Sequence, residues 1–251
     1  MNGLQLRTNG LAKRFGGLKA TDDVSLDIAA GELHAIIGPN GAGKTTLINL
    51  LSGELRSDGG EIFIGERNVA QQSIQQRVGM GLLRSYQITS IFDTFTVCEN
   101  VCLAAMRKRG VRFAIWKPLS RYDDVQDKAR AIIRQCKLAD VADVKVANLA
   151  YGQRRQLEIA MALAADPSVL LLDEPMAGMS AAEGAAAIEL LQSLKGRYTI
   201  VLVEHDMNAV FSLADRISVL VYGKVAATGT IDEIRNHPDV RAAYLGDDAD
   251  A

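Results

Sequence analysis

The sequence GPNGAGKT at residues 38–45 matches the pattern Gly-x-x-x-x-Gly-Lys-Ser/Thr. A short apolar run, LHAII, comes directly before it, and a helix-like run, TTLINLLSG, follows. A glycine-rich turn between a buried strand and a helix directs backbone N–H groups around phosphates, with Lys44 reaching the terminal phosphates and the Thr45 hydroxyl able to bind Mg²⁺. The pattern therefore favours a nucleotide-binding loop over a plain turn with a solvated lysine. The candidate nucleotide-binding residues here are Gly38, Pro39, Asn40, Gly41, Ala42, Gly43, Lys44, Thr45 and Thr46.

An acidic pair follows a second buried strand later in the chain. In SVLLLDEP, apolar residues 169–172 lead to Asp173 and Glu174. Ligands of α/β sheets bind at the carboxyl ends of strands, so Asp173 is a candidate metal ligand and Glu174 is placed to polarise an attacking water. The next apolar run, VLVEHDM, ends at His205, which we expect to face the terminal phosphate. The alternatives are a polar strand end that opens a turn, and a structural histidine.

Composition excludes several classes of protein. The chain has 251 residues, 48% of them hydrophobic, and a formal net charge of −2, so no overall basic field favours nucleic acid or an acidic membrane as a partner. Cys98, Cys102 and Cys136 contain no Cys-x-x-Cys pair, which suits a reducing compartment and favours buried apolar residues over metal ligands. The N-terminus lacks the features of a signal peptide, and no apolar run approaches the ~20 residues of a membrane helix. These features predict a cytoplasmic protein.

The pattern of apolar residues changes along the chain. Residues 4–64 predict strands around one helix, residues 84–165 are mostly helical, and later apolar runs alternate with helices as in a buried parallel sheet. We therefore predict an α/β fold with a P-loop core and a mostly helical subdomain. The whole chain, 1–251, is expected to form one domain, with 1–83 and 166–251 as the core and 84–165 as the helical subdomain.

The stretch LAYGQ at residues 149–153 opens an apolar-periodic helix. The first N–H groups of a helix lack partners within it, and the helix dipole favours negative charge there. This stretch is therefore a candidate anion site.

These motifs, in this order, resemble those of the ATP-binding-cassette (ABC) ATPases over nearly the whole chain. The order is the phosphate loop, Gln87 in RSYQ, LAYGQ, LLLDEP and VEHD. In that family the LAYGQ-type signature of one subunit packs onto the nucleotide held by the phosphate loop of the other. The resemblance implies that an antiparallel β subdomain accompanies the P-loop core and the helical subdomain. It also implies ATP and Mg²⁺ as ligands, ATP hydrolysis, and a head-to-tail dimer in which each chain carries two half-sites.

The resemblance also assigns roles to individual residues. Phe15 in KRFGG corresponds to the aromatic residue that stacks on adenine, Gln87 to the one that touches metal and attacking water, and His205 to the switch histidine. By residue type alone, Phe15 could instead be a core residue and Gln87 a solvated loop residue. The signature residues that act in trans are Leu149, Ala150, Tyr151, Gly152 and Gln153.

Three residues depart from the commonest family pattern. Ala150 replaces a serine, Tyr151 replaces a glycine, and Ser180 replaces an aspartate. A missing hydrogen bond to a charged acceptor is worth ~1.5–3 kcal/mol, which is enough to weaken trans binding, but the helix N-terminus and Gly152 remain to hold the phosphate. The deviations suit one branch of the family, since LAYGQRRQLEIA, DEPMAGMSAAE, VEHDMNAV and IRNHPDVRAAYLG look like the ATPase subunits of branched-chain amino acid importers and related urea and amide importers.

That branch implies a transport function. ATP binding closes two cassettes and hydrolysis reopens them, which drives import through two integral-membrane permease subunits fed by a periplasmic binding protein. The chain would lie at the inner face of the cell membrane, with a paralogue favoured over an identical chain as the second cassette. An alternative is a soluble cassette acting as a clamp on nucleic acid or ribosomes, but such proteins usually carry two cassettes or a long coiled coil. A small GTPase is a weaker alternative, because no Asn-Lys-x-Asp motif is present.

One segment is not explained by the motifs. Residues 107–122, RKRGVRFAIWKPLSRY, interleave six basic residues with Phe113, Trp116 and Tyr122. The alternatives are a solvated loop, a contact with the permease or the inner leaflet, and, least favoured, single-stranded nucleic acid.

Overall fold

The computed structural model describes residues 3–85, 91–106 and 122–240, which group into two compact units. Gln87 and residues 107–121 of the basic aromatic segment lie outside the described residues. The core unit comprises Met1–Leu83, Ser168–Glu174 and Leu194–Ala251, and the helical unit comprises Arg84–Pro167 and Pro175–Ser193. The sequence placed residues 175–193 with the core, whereas the structure groups them with the helical unit. The single-domain organisation stays a prediction.

The elements follow in chain order. The strands are β1 Leu6–Phe15, β2 Leu18–Ile28, β3 Leu33–Ile37, β4 Gly59–Ile64, β5 Arg67–Asn68, β6 Leu82–Arg84, β7 Val169–Asp173, β8 Thr199–Val203, β9 Arg216–Val221 and β10 Lys224–Gly229. The α-helices are α1 Lys44–Ser52, α2 Ile74–Gly79, α3 Val97–Met106, α4 Asp123–Gln135, α5 Tyr151–Ala164, α6 Ala181–Leu194, α7 Met207–Leu213, α8 Ile231–Arg235 and α9 Pro238–Val240. Short 3₁₀ turns cover Ala139–Val141 and Val146–Asn148.

A six-stranded sheet with the order β10-β9-β3-β8-β7-β6 forms the centre of the core unit. Strand β3 is parallel to both of its neighbours, and β7 is parallel to β8. Every residue of β3 and β8 is buried, which explains why their sequences are mostly apolar rather than alternating between apolar and polar residues. Because parallel strands end at the same edge of the sheet, the loops after β3, β7 and β8 meet there.

A four-stranded antiparallel sheet with the order β2-β1-β4-β5 completes the core unit. Along β2, buried and exposed positions alternate towards its end, as expected for a sheet with one buried face. The parallel sheet, the antiparallel sheet and the helices confirm the predicted fold class.

Helix α1 follows the phosphate loop and buries Leu47, Leu50 and Leu51, the three leucines that the sequence placed on one face. It packs against β7 and β2 within the core unit. The helix ends at Gly53, whose φ of +86° is a conformation that glycine adopts without strain.

The helical unit is built from α3, α4 and α5, which pack on one another, together with most of α6. Burial raises the pKa of the Cys102 and Cys136 thiols to about 12, so both behave as small apolar residues. Within the described ranges, no helix has the length and apolar character needed to cross a membrane.

Candidate functional site

The phosphate loop joins the end of β3 to the start of α1, and its backbone is fitted closely against neighbouring strands. Gly43, which precedes α1, has a φ of +103°, and a Cβ there would lie 2.3 Å from the carbonyl oxygen of Ala20. A Cβ on Gly38 would lie 2.2 Å from the carbonyl oxygen of Leu220. Both contacts are with rigid backbone, so these positions require glycine and hold the loop in one shape.

Lys44 lies over this loop. Its Nζ donates hydrogen bonds to the carbonyl oxygens of Gly38, at 2.6 Å, and Pro39, at 3.1 Å. Burial lowers the pKa of Lys44, while the nearby carboxylates of Glu174 and Asp173 oppose that shift. The ammonium group is therefore held at the loop with two carboxylates close to it.

Glu174 and His205 lie together at the carboxyl ends of β7 and β8. The Nδ1 atom of His205 is 3.7 Å from Oε1 of Glu174, and both side chains are solvent accessible. Glu174 has a φ of +46°, which is rare for a residue with a side chain, and its N–H donates to the carbonyl of Val203 at 2.9 Å. Strain of this kind persists where the surroundings fix it, and it is found most often at functional sites.

A pocket of about 380 Å³ opens beside the loop. It is lined by residues 40–46, by Glu174, and by Phe15, Leu18 and Tyr222. Phe15 is half-exposed in this pocket, so it is not a core residue. A phosphate-binding loop at one part of the wall and apolar side chains at another suit a nucleotide.

The same region has the donor set that Mg²⁺ prefers. Thr45 lines the pocket, and Asp173 ends β7 directly before Glu174. Mg²⁺ is held by one or two protein oxygens together with substrate phosphates, so these residues fit it without a larger ligand cluster.

The LAYGQ stretch lies in the helical unit, where α5 begins. Leu149 is buried, and Ala150 is the N-cap residue, with no side chain that could accept a hydrogen bond. Instead, the Ala150 N–H donates to the side chain of Gln153 at 3.0 Å, and the Tyr151 hydroxyl donates to the carbonyl of Ala177 at 3.2 Å.

Glu183 is the residue at this site that the sequence analysis missed. Its Oε1 accepts a hydrogen bond from the Gly152 N–H at 3.1 Å, and its Oε2 accepts from the N–H and hydroxyl of Ser180 at 2.9 and 2.7 Å. The Ser180 hydrogen bonds, assisted by the Gly152 N–H, hold the pKa of Glu183 below its usual range. The Ser-x-x-Glu spacing is a helix-capping signal for α6, but nothing in that signal points to α5.

Comparison with known proteins identifies the family. Residues 21–177 match the model of the ABC transporter family, and residues 224–250 match that of the branched-chain amino acid ATP-binding cassette transporters. The chain is 41% identical over 249 residues to the high-affinity branched-chain amino acid transport ATP-binding protein LivG of Salmonella typhimurium, covering 96% of this chain and 98% of LivG.

Solved structures agree with this similarity. A crystal structure of the ADP conformation of an ATP-binding cassette of an ABC transporter superposes with a TM-score of 0.83 at 28% identity, covering 97% of this chain and 99% of that one. A dimeric cassette in a post-hydrolysis state, bound to ADP and phosphate, superposes with a TM-score of 0.75 at 25% identity, covering 90% of this chain and 98% of that one. The sequence-based resemblance to importer ATPases is thus confirmed. The chain belongs to the ABC transporter family, as one of its ATP-binding, ATP-hydrolysing cassettes.

Proposed function

We propose that this chain is the ATP-hydrolysing subunit of an importer for branched-chain amino acids or related small amino acid or amide solutes. The observation that carries the proposal is the single pocket in which the phosphate loop, Glu174 and an exposed aromatic side chain meet. Similarity to a branched-chain amino acid transport protein over 96% of the chain supports the solute class. The same similarity favours import over a clamp on nucleic acid or ribosomes.

Residues of the core unit have separate roles in the binding and hydrolysis of ATP. The N–H groups of the phosphate loop and the Lys44 ammonium bind the phosphates, and Phe15 binds adenine by stacking. Glu174 accepts the proton of the water that attacks the terminal phosphorus, and the bond to the bridging oxygen breaks to release ADP and phosphate. His205, 3.7 Å from Glu174, orients this carboxylate and faces the terminal phosphate. Mg²⁺, when held by Thr45, Asp173 and Gln87, would neutralise charge on the phosphates.

Two cassettes complete each site. The LAYGQ residues, at the start of α5, contact the terminal phosphate held by the phosphate loop of a second cassette, identical or paralogous, in a head-to-tail dimer. A relative that forms a dimer bound to ADP and phosphate supports this arrangement. We infer that the dimer acts on two integral-membrane permease subunits at the cytoplasmic face of the membrane, with a periplasmic binding protein delivering the solute.

The test is Glu174→Gln, with Glu66→Gln, an exposed position in the β4–β5 turn, as the control. Glu174→Gln is expected to lower ATP turnover by ~10²–10⁴-fold and leave the Kd for ATP within about threefold, because a general base acts only in the transition state. In cells from which the gene has been deleted, uptake of radiolabelled leucine should return with Glu66→Gln and not with Glu174→Gln. Near-normal hydrolysis by Glu174→Gln would remove that residue from the role. Leucine, isoleucine and valine uptake that survives deletion would contradict the solute class.

A further inference from the structure

Tyr222 is a large side chain in an unfavourable position. It lies in the turn between β9 and β10 and is 88% exposed, the highest value among the exposed large apolar side chains of the described residues. Its φ of 47° is in the left-handed region, and that of Gly223 is 76°. A two-residue hairpin turn with both φ angles positive favours Asn-Gly, and a bulky side chain at the first position is strained. Neither the turn nor the core therefore explains a tyrosine here.

The turn is hydrogen-bonded to the phosphate loop and to β2. The Gly223 N–H donates to the carbonyl of Ala42 in the phosphate loop at 2.9 Å, and the Gly223 carbonyl accepts from the N–H of Asp22 at 2.8 Å. A Cβ on Gly223 would lie 2.8 Å from the carbonyl oxygen of Ala20, so the turn is packed directly against β2. These contacts fix the backbone from which the Tyr222 side chain projects.

The Tyr222 side chain lines the same pocket as Phe15, Leu18 and the phosphate loop. Three of the exposed large apolar side chains of the described residues are thus gathered around one cavity. When the phosphates are held by the loop, the base and ribose are left to this apolar part of the wall. An aromatic ring held there by a fixed turn is suited to contact with a flat, weakly polar base.

We propose that Tyr222 is a nucleotide-binding residue, whose ring forms a second aromatic wall, besides Phe15, for the nucleoside part of a bound purine nucleoside triphosphate. This inference rests on the proposed function, because it requires the pocket to hold ATP. It explains why a tyrosine occupies a strained turn position: the side chain is there to bind the nucleoside and not to stabilise the fold. Tyr222 would thus act on affinity for the nucleoside and leave the phosphate contacts unchanged.

The experiment compares Tyr222→Asn, Tyr222→Phe and the unchanged chain, with the Kd measured for ATP and for inorganic tripolyphosphate, and with the Tm of each protein without ligand. Tyr222→Asn is expected to weaken ATP binding about 5- to 100-fold, in line with the loss of one base-stacking contact, with an unchanged or higher Tm. Its Kd for tripolyphosphate should not change. Tyr222→Phe keeps the ring and should bind ATP within about twofold of the unchanged chain.

A matched control is Lys137→Asn, since Lys137 is another residue with a side chain and a positive φ, 55°, but it does not line the pocket. This substitution should leave the Kd for ATP unchanged. A fall in Tm together with equal losses of ATP and tripolyphosphate binding would assign Tyr222 to holding the phosphate loop and overturn the proposal.

Lys44→Ala distinguishes a failure of ATP binding as a whole from a failure of the role of Tyr222. The proposed function fails if the unchanged chain does not bind ATP, or if the Lys44→Ala variant binds ATP as tightly as the unchanged chain does. If Lys44→Ala abolishes binding but Tyr222→Asn binds ATP as tightly as the unchanged chain, only the role of Tyr222 is overturned.

Discussion

Glu32 and His34 form a buried polar pair at the end of β3 that is opposite the phosphate loop. Nδ1 of His34 is 2.7 Å from Oε1 of Glu32, and its Nε2 is 2.8 Å from the hydroxyl of Ser218. Burial disfavours the ionised Glu32 carboxyl, but the hydrogen bonds from His34 and from the Ala29 N–H outweigh it and hold the pKa of Glu32 below its usual value. Arg216 adds a positive charge 3.7 Å from the same carboxylate oxygen.

This pair predicts an acid-sensitive contribution to stability. Because the pKa of Glu32 is lower in the folded state than the usual value of 4.5, its ionised form stabilises the fold above about pH 4.5, and that stabilisation is lost as the pH falls through the folded-state pKa. Glu32→Gln should lower the free energy of unfolding by ~1–3 kcal/mol at pH 7, and the difference should shrink towards pH 3. Urea unfolding at several pH values measures this, with Glu66→Gln as the control. A loss that does not depend on pH would contradict the assignment.

At the scale of residues, the sequence reveals those parts of the site that lie in one continuous stretch. Lys44 was identified from a local pattern, and the structure places it in the loop beside the pocket. Tyr222 and Glu183 were missed because their neighbours are far away in sequence, such as Ala42 for the turn after Tyr222 and Gly152 for Glu183. No local spacing encodes such contacts.

At the scale of elements, Arg77 holds the end of α1 that is opposite the phosphates. This side chain is 1% exposed, and its guanidinium donates to the carbonyl oxygens of Leu50, Leu51 and Ala70. The last carbonyl groups of a helix lack partners within the helix and carry partial negative charge, so a cation there both binds and stabilises them. Burial lowers the pKa of Arg77 to about 10, which leaves it charged at neutral pH.

Arg77→Met should therefore lower the free energy of unfolding by ~2–4 kcal/mol, because it leaves several buried carbonyl groups without donors. Arg67→Met, at an exposed position in β5, should stay within ~0.5 kcal/mol of the unchanged chain. Denaturant unfolding of both variants measures the difference. Equal stabilities would show that water or other donors replace the guanidinium, contrary to this account.

Periodicity in the sequence predicted which segments are strands and which are helices. It did not predict which of the two units each element belongs to. The strands β3, β7 and β8 were recognisable as buried because each is apolar at four of its five positions, without the alternation of a half-exposed strand. Helix α6 was placed with the core because it lies between two core strands in sequence. Most of it belongs to the helical unit, and this depends on which elements it packs against. Hydrophobic periodicity predicts that a helix has a buried face, but not which element covers that face.

At the scale of the whole molecule, the half-site arrangement predicts complementation between two inactive variants. Lys44→Ala removes the lysine of the phosphate loop, and in the proposed dimer Ala150→Asp would put a carboxylate next to the partner's terminal phosphate. Aspartate is also a favourable N-cap, so Ala150→Asp should not destabilise α5. In a mixed dimer, one site collects both defects and the other pairs an intact phosphate loop with an intact LAYGQ stretch.

Each variant alone should fail to dimerise with ATP, and the mixture should dimerise with about half the nucleotide occupancy of the unchanged protein. Light scattering measures the dimer, and quantification of the bound nucleotide measures the occupancy of its sites. Ala150→Glu, with a longer side chain carrying the same charge, serves as a second signature variant. Loss of ATP binding by isolated Ala150→Asp monomers, without rescue on mixing, would place the action of the stretch within its own chain.

The position of β3 between β8 and β9 has a consequence for biosynthesis. Leu33 pairs with Ile200, and His34 pairs with Arg216, so the strand that leads into the phosphate loop gains both neighbours from strands that are synthesised long after it. Contacts of such long sequence separation form slowly. Until β9 is made, the nascent chain exposes a mostly apolar strand, which is the kind of surface that is prone to aggregate. The pocket beside the phosphate loop is also incomplete before that point, because Tyr222 is part of its lining. A chain truncated before β9 lacks a neighbour for β3, so we expect it to aggregate rather than to form a cassette of lower activity.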